Sequence, residues 1–403
     1  MIMSEKMKNR PALRFPGFEG EWSESTVNDL SKKITDGTHD TPKAVNEGIP
    51  YLTAIHVKNG FIDFDSCYYL PKEVHELIYR RCNPELDDLL MVNIGAGTAT
   101  VAKVDVDFEF SLKNVALIKP NKVILDADFF FQVQSKNSAR LRHQLSSGGA
   151  QPFLSLKQIG KLKLKRPTIK EQKKIAHFLT AVDDKIRQLS EKHRLLGQYK
   201  KGVMQQIFSQ QIRFKDDKGQ HYPDWEKAEF GLLAEKSKLK HNPIKDKTSY
   251  PCIELESLSS CTGVLLETFD SVNQKSIKNK FLKGEVLFGK LRPYLRKYLK
   301  AEFEGVCSSE IWVLNGKLVS NEYLYYLIQS EDFNNVANVS SGSKMPRSDW
   351  EFVGSFPFQY PKEEEQQKIA AFLSEIDKKI EQVNKQLEQA RTFKKGLLQQ
   401  MFV

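Results

Sequence analysis

The chain has 403 residues, of which 40% are hydrophobic and 28% charged, and its 61 Lys and Arg against 51 Asp and Glu leave a formal charge of +10. That length exceeds one ordinary core and points to two or three domains, while no apolar run approaches the ~20 residues that cross a bilayer, which excludes a spanning helix. Five cysteines with no CxxC pair exclude a disulfide framework and a zinc ribbon, and the positive charge suits a polyanionic partner without establishing one.

In chain order, residues 1–21 form a leading segment, polar and basic at its start and without the apolar stretch of a secretory signal, so a cytoplasmic location is expected. Residues 22–166 form a first domain, with strand-like stretches such as YLTAIHV and NVALIKP between turn residues. Residues 167–210 form a long helix, 211–221 a second leading segment, 222–360 a second domain containing EVLFG and EIWVLNG, and 361–403 a second helix.

The chain is written twice. PTIKEQKKIAHFLTAVDDKI, from Pro167, recurs 194 residues later as PKEEEQQKIAAFLSEIDKKI, from Pro361. The same offset carries Lys200, Lys201, Gly202, Gln205, Gln206 and Phe208 onto Lys394, Lys395, Gly396, Gln399, Gln400 and Phe402, and Ser146-Ser147-Gly148 onto Ser340-Ser341-Gly342. RFPGFEGEW, Arg14 to Trp22, is echoed by RFKDDKGQHYPDW, Arg213 to Trp225. Between these echoes the halves do not align.

Ile175, Leu179, Val182, Ile186 and Leu189 in the first helix follow alternating steps of four and three, as do Ile369, Leu373, Ile376, Ile380 and Val383 in the second. That spacing is a heptad seam. The fold expected is α+β: two pseudo-symmetric globular domains separated by a long antiparallel coiled coil of two helices, about 169–208 and 363–402. At 1.5 Å per residue a helix of about 38 residues is ~57 Å long, enough to act as a spacer. The competing reading is that each stripe packs only on its own domain. Equivalence of the halves further requires Arg14–Trp22 to lie against the end of the second helix near Phe402, as Arg213–Trp225 follows the first helix near Phe208.

No catalytic site emerges. GEVLFGK (Gly284 to Lys290) fits a phosphate-binding loop until Leu291 stands where Ser or Thr must hold magnesium. Gly95-Ala96-Gly97 lacks the third glycine of a dinucleotide fingerprint, and Asn83-Pro84-Glu85-Leu86 lacks the second proline and the aromatic of an adenine methyltransferase pocket. The eight histidines have no ligand spacing, so no metal site is expected.

A duplicated variable domain and helix, opening with RFPGFEGEW and closing both halves with EQ.KIA.FL…D.KI…KKG…QQ.F, resembles the specificity subunit of Type I restriction-modification systems along essentially the whole chain. Ile34-Thr35-Asp36-Gly37-Thr38-His39 with Thr41-Pro42, Gly289 to Tyr294 (GKLRPY) and Gly305 to Glu310 (GVCSSE) are similar to segments of that family's target-recognition domains. The resemblance implies a non-catalytic DNA-binding subunit in which each variable domain reads one half of a bipartite double-stranded target, and the helices set the spacing. It implies two methyltransferase (M) subunits docked on the helices, with restriction/translocase (R) subunits joining them. S-adenosylmethionine, ATP and magnesium belong to those partners, none to this chain. The other reading open at this point is a duplicated coiled-coil scaffold that binds proteins and not DNA sequence.

Base contacts are expected from loops, because sequence information differs between the halves and so do the loops. In the first domain the candidates are Thr38, His39, Lys58, Asn59, Gly97, Thr98, Lys113, Asn114 and Gln151. Backbone amides of Gly95–Thr98 suit a phosphate, and Asn114 and Gln151 have the amide edge for adenine. A local turn satisfied by its own side chains is the alternative for Thr38 and His39. In the second domain GKLRPYLRKYLK offers Lys290, Arg292, Tyr294, Arg296 and Lys297, with Leu291 and Leu295 anchoring inward and the basic residues facing out. Lys344 and Arg347 form a further loop there.

Overall fold

The protein is described by a computed structural model for residues 9–146, 152–339 and 345–403. It divides into two compact units, Met1–Ser190 with Lys385–Val403, and Glu191–Asn384.

In the first unit the runs ITD, LLMV and VALIKP become strands of a four-stranded antiparallel sheet: β1 (Ser31–Asp36), β2 (Leu89–Val92), β3 (Val101–Lys103) and β4 (Val115–Pro120), in the order β1-β4-β2-β3. The central strands β2 and β4 read as near-continuous apolar runs because both faces are covered. Leu89, Met91, Ala116 and Ile118 join one core, with Phe129, Phe130 and Val133 of helix α1 (Ala127–Ser146). Leu90, Val92, Val115 and Leu117 join another, with Leu52, Val57 and Phe110. A three-stranded sheet of Tyr68–Leu70, Ile49–Leu52 and Ser111–Leu112 adjoins the second core. The chain then enters a 40-residue helix, α2 (Ile169–Phe208).

The second unit repeats this plan from unlike letters. β5 (Ala234–Lys236), β6 (Val286–Gly289), β7 (Tyr298–Lys300) and β8 (Ile311–Gly316) form an antiparallel sheet in the equivalent order β5-β8-β6-β7. Val286, Phe288, Trp312 and Leu314 face a core shared with α3 (Asn321–Leu327) and α4 (Glu331–Ala337), while Leu287, Ile311 and Val313 face the other. The 39-residue helix α5 (Glu363–Met401) closes the chain.

The repeated letters are the joints that fasten helix to domain. Gln172 donates through its amide to the carbonyls of Pro167 (2.9 Å) and Ile124 (3.1 Å) and accepts from the Asp126 amide (3.0 Å). Gln366 does the same with Pro361 (2.9 Å), Leu318 (3.1 Å) and Ser320 (2.9 Å). One residue earlier, buried Glu171 takes a two-pronged contact from Arg14 (2.8 and 2.8 Å), and buried Glu365 takes one from Arg213 (2.9 and 2.9 Å). Such fork-on-carboxylate pairs fix position as well as supplying energy.

Within each unit the helix segments pair antiparallel. In the first, Asp183 meets Lys394 at 2.6 Å, while the earlier Ile175 and Leu179 share a core with the later Leu397, Met401 and Phe402. In the second, Lys200 meets Asp377 at 2.7 Å, while Val203 and Ile207 share a core with Ile369 and Leu373. Of the seam, Ile175, Leu179, Leu189, Ile369, Leu373, Ile376 and Val383 are buried, and Val182, Ile186 and Ile380 are half-buried. The two readings of the stripe therefore both hold in part: within each unit its residues are sunk in that unit's own core, and in the same core the two helix segments meet.

The leading segment lies against the end of α5. The Leu13 amide donates to the Gln400 carbonyl (2.9 Å), and the Trp22 and Phe402 rings meet edge-on at 6.1 Å. In the second unit the Ile212 amide donates to the Gln206 carbonyl (3.1 Å), and Trp225 shares a core with Ile207.

Candidate nucleic-acid interface

Where the sequences cease to align, the backbones still correspond. After β6 the chain turns through Lys290–Lys297. The Arg292 amide donates to the Pro346 carbonyl (2.8 Å), Ser348 to Lys290 (2.9 Å), Leu295 to Arg292 (2.9 Å) and Gly289 to Lys297 (2.8 Å). After β2 the chain turns through Asn93–Thr100 with the same four bonds: Gly95 to Pro152 (2.9 Å), Leu154 to Asn93 (2.8 Å), Thr98 to Gly95 (3.0 Å) and Val92 to Thr100 (2.9 Å). The left-handed positions also coincide, Gly95 (φ +95°) and Ala99 (φ +70°) with Arg292 (φ +53°) and Arg296 (φ +48°). One frame thus carries GAGTA in the first unit and RPYLR in the second.

In the second unit, Arg292 and Tyr294 are exposed and Lys290 is half-buried. Arg296 and Lys297 depart from the outward-facing reading. Arg296 grips Glu331 at the start of α4 with both terminal guanidinium nitrogens (2.8 and 2.5 Å), which holds the Glu331 carboxyl below its usual range. The Lys297 ammonium donates to the Leu255 carbonyl (2.8 Å). A left-handed non-glycine residue costs about 1–2 kcal/mol, so Arg296 and Lys297 serve to hold the turn that presents Arg292. Arg347 lies alongside, bridged to Leu291, and donates to Glu310 (3.0 Å).

In the first unit, Thr38, His39, Lys113 and Asn114 come together at the ends of β1 and β4. Buried Asp36 accepts from Arg81 (2.6 Å) and lies 3.1 Å from His39 Nε2, while His39 Nδ1 is 2.9 Å from the Asn114 amide oxygen. The edge of Asn114 that adenine needs is thus shared with His39. Thr38 Oγ1 accepts from the Asp40 amide (3.1 Å), the local-turn arrangement, and the Lys113 ammonium donates to the Thr41 hydroxyl. Lys58 and Asn59 sit in a tight turn closed from Lys58 to Phe61 (3.0 Å), Asn59 exposed at its tip. Gly97 is exposed, but Thr98 is buried, its hydroxyl 2.6 Å from the Gly95 carbonyl and 3.0 Å from that of Pro152. Thr98 therefore braces the turn instead of presenting a contact. Gln151 and Lys344 lie outside the described residues.

Sequence reasoning missed Arg81, drawn in by Asp36, and Phe153, which pairs with Ile94 as Arg347 pairs with Leu291. The signal for Phe153 was present. Ser146 to Phe153 (SSGGAQPF) aligns without a gap on Ser340 to Arg347 (SSGSKMPR).

A Ser111-His75-Glu109 relay (3.0 and 3.2 Å) has the order of a nucleophile triad, but Ser111 is buried within the first unit. Burial pushes the Cys82 thiol up to about 12 and the Cys252 thiol up to about 11, away from the reactive thiolate. Among the described residues no His, Cys, Asp and Glu cluster has the arrangement of a metal site, and no helix is long and apolar enough to cross a membrane.

A family model described as the type I restriction modification DNA specificity domain matches twice, over residues 19–195 and 223–391. The chain is 23% identical to the type I restriction enzyme MjaVIII specificity subunit of Methanocaldococcus jannaschii, over 98% of this chain and 94% of that protein. It is 32% identical to the HindI specificity subunit of Haemophilus influenzae over 29% of this chain and 27% of that one. Its fold is similar to the crystal structure of the type I restriction-modification S subunit from M. genitalium, with a TM-score of 0.63 at 15% identity, covering 98% and 99% of the two chains. A frame duplicated in full and matched twice by one family model places this chain in the type I restriction-modification DNA specificity family, as a specificity subunit.

Proposed function

We propose that each unit reads one half of a split, asymmetric DNA target and that the paired helices fix the number of unread bases between. The observation that supports this reading best is the shared turn frame, held by the same four hydrogen bonds and filled by different side chains. Two readers of one architecture and unlike surface suit two unlike half-sites. Exchanging a surface loop changes what is read without touching the frame.

Catalysis belongs to partners. Two methyltransferase subunits supply S-adenosylmethionine chemistry, restriction subunits supply ATP- and magnesium-dependent cleavage, and the complex works in the cytoplasm. The docking faces are the ones carrying Tyr199 with Gly202 and Phe393 with Gly396. Both rings are more than half exposed, at 53% and 56%, and a Cβ added at either glycine meets nothing within 4 Å. Glycine inside a helix costs about 0.5–1 kcal/mol against alanine. Its recurrence at the same place in both copies fits close approach by a partner.

Methylome sequencing of cells that express this chain with its cognate methyltransferase tests the reading. The expected result is one split motif, methylated on adenine in each half. Methylation at a continuous motif, or none that depends on this chain, sinks it.

A further inference from the structure

We infer that Phe153 is a specificity-determining residue of the first domain and that it reads a thymine through the C5 methyl group. This rests on the proposal that the units read DNA, and assigns one contact within it.

The placement comes from the shared frame. Phe153 bridges to Ile94, and its counterpart Arg347 bridges to Leu291, so position 153 sits in the first unit where the second carries a half-exposed arginine whose Nε donates to Glu310 (3.0 Å). The ring is 52% exposed and belongs to neither core of its unit. A lone exposed hydrophobe is ordinary on a protein surface, but the neighbours of this one are not. Ala96 and Gly97 are exposed and have almost no side chain, and Thr98 is turned inward. Among the described residues of this stretch Phe153 is therefore a side chain with reach, and it can neither donate nor accept a hydrogen bond. Among major-groove base edges the apolar group on offer is the thymine methyl. Arginine on the second frame suits guanine, and phenylalanine on the first suits thymine.

The test uses the assembled complex with its methyltransferase and the cognate duplex. In the half-site that does not respond to Arg292→Ala, each thymine on either strand is replaced in turn by deoxyuridine, which removes the methyl and nothing else. At one position the wild-type complex should bind about fourfold more weakly, the worth of one buried methyl at about 0.8 kcal/mol. The Phe153→Ala complex should be indifferent at that position, and Phe153→Leu should keep part of the discrimination. Unchanged reading of the other half-site by both variants shows that they are folded. The inference is overturned if no thymine position discriminates, if the half-site has no thymine, or if Phe153→Ala discriminates as the wild type does. Equal loss by Phe153→Ala on cognate and scrambled duplexes would overturn it as well, and would mark a general backbone contact. A complex with no split target at all fails the underlying proposal instead.

Discussion

Arg292 occupies a left-handed position that its counterpart fills with Gly95. The second unit tolerates backbone strain at one exposed residue, as functional positions often do. Replacing Arg292 by glycine should therefore raise stability by up to about 1 kcal/mol in thermal unfolding while abolishing base preference at one position of one half-site. Arg292→Ala should lose about 1–3 kcal/mol of discrimination there and keep the strain. An equal drop on cognate and scrambled duplexes would make Arg292 a phosphate contact. At this scale the sequence was only partly legible. The basic letters of GKLRPYLRK are plain in it, but nothing there separates Arg292, which faces solvent, from Arg296 and Lys297, whose partners Glu331 and Leu255 lie 35 and 42 residues away. Thr98 was misjudged for the same reason, since the Pro152 carbonyl that receives it is distant in sequence.

The helices were the most legible elements, because a period of three and four residues survives any tertiary context. Their expected limits, about 169–208 and 363–402, lie within a residue of Ile169–Phe208 and Glu363–Met401. Burial along the stripe was less legible, because it depends on what the domains cover. A glutamate at Leu189 (5% exposed) or Val383 (4%) should cost several kcal/mol in chemical unfolding, since a buried unpaired carboxylate has nothing to solvate it. The same change at half-buried Ile186 or Ile380 should cost clearly less, because its carboxylate can reach water. Equal losses at all four positions would mean that the middle of the pair is uniformly dry. Of the four-stranded sheets only the apolar strands within NVALIKP, EVLFG and EIWVLNG were visible, and not the strand order. Both halves reach one strand order from letters that share no alignment, which no pattern of single residues could have disclosed.

At the scale of the whole chain, equivalence of the halves predicted that the leading segment closes onto the last helix, and the Leu13–Gln400 and Trp22–Phe402 contacts have that form. A gene permuted to join Val403 to the leading segment by a short flexible linker, and opened at Lys218 in the exposed turn before Gly219 (φ +78°), should retain assembly and the same split methylation motif. Loss of the motif in a soluble permuted chain would show that continuity at Lys218 matters beyond folding. The ion pairs of the helices carry a different consequence. Asp183 pairs with Lys394 and Lys200 with Asp377, so each repeat holds the partner of the other. Change at Lys200 must be answered at Asp377, in the opposite half of the gene, whereas change at Arg292 or Phe153 needs no answer elsewhere. The two kinds of surface are thereby uncoupled: a charge reversal on one helix should need its partner reversed on the other, and exchanging a whole reader should leave these pairs intact.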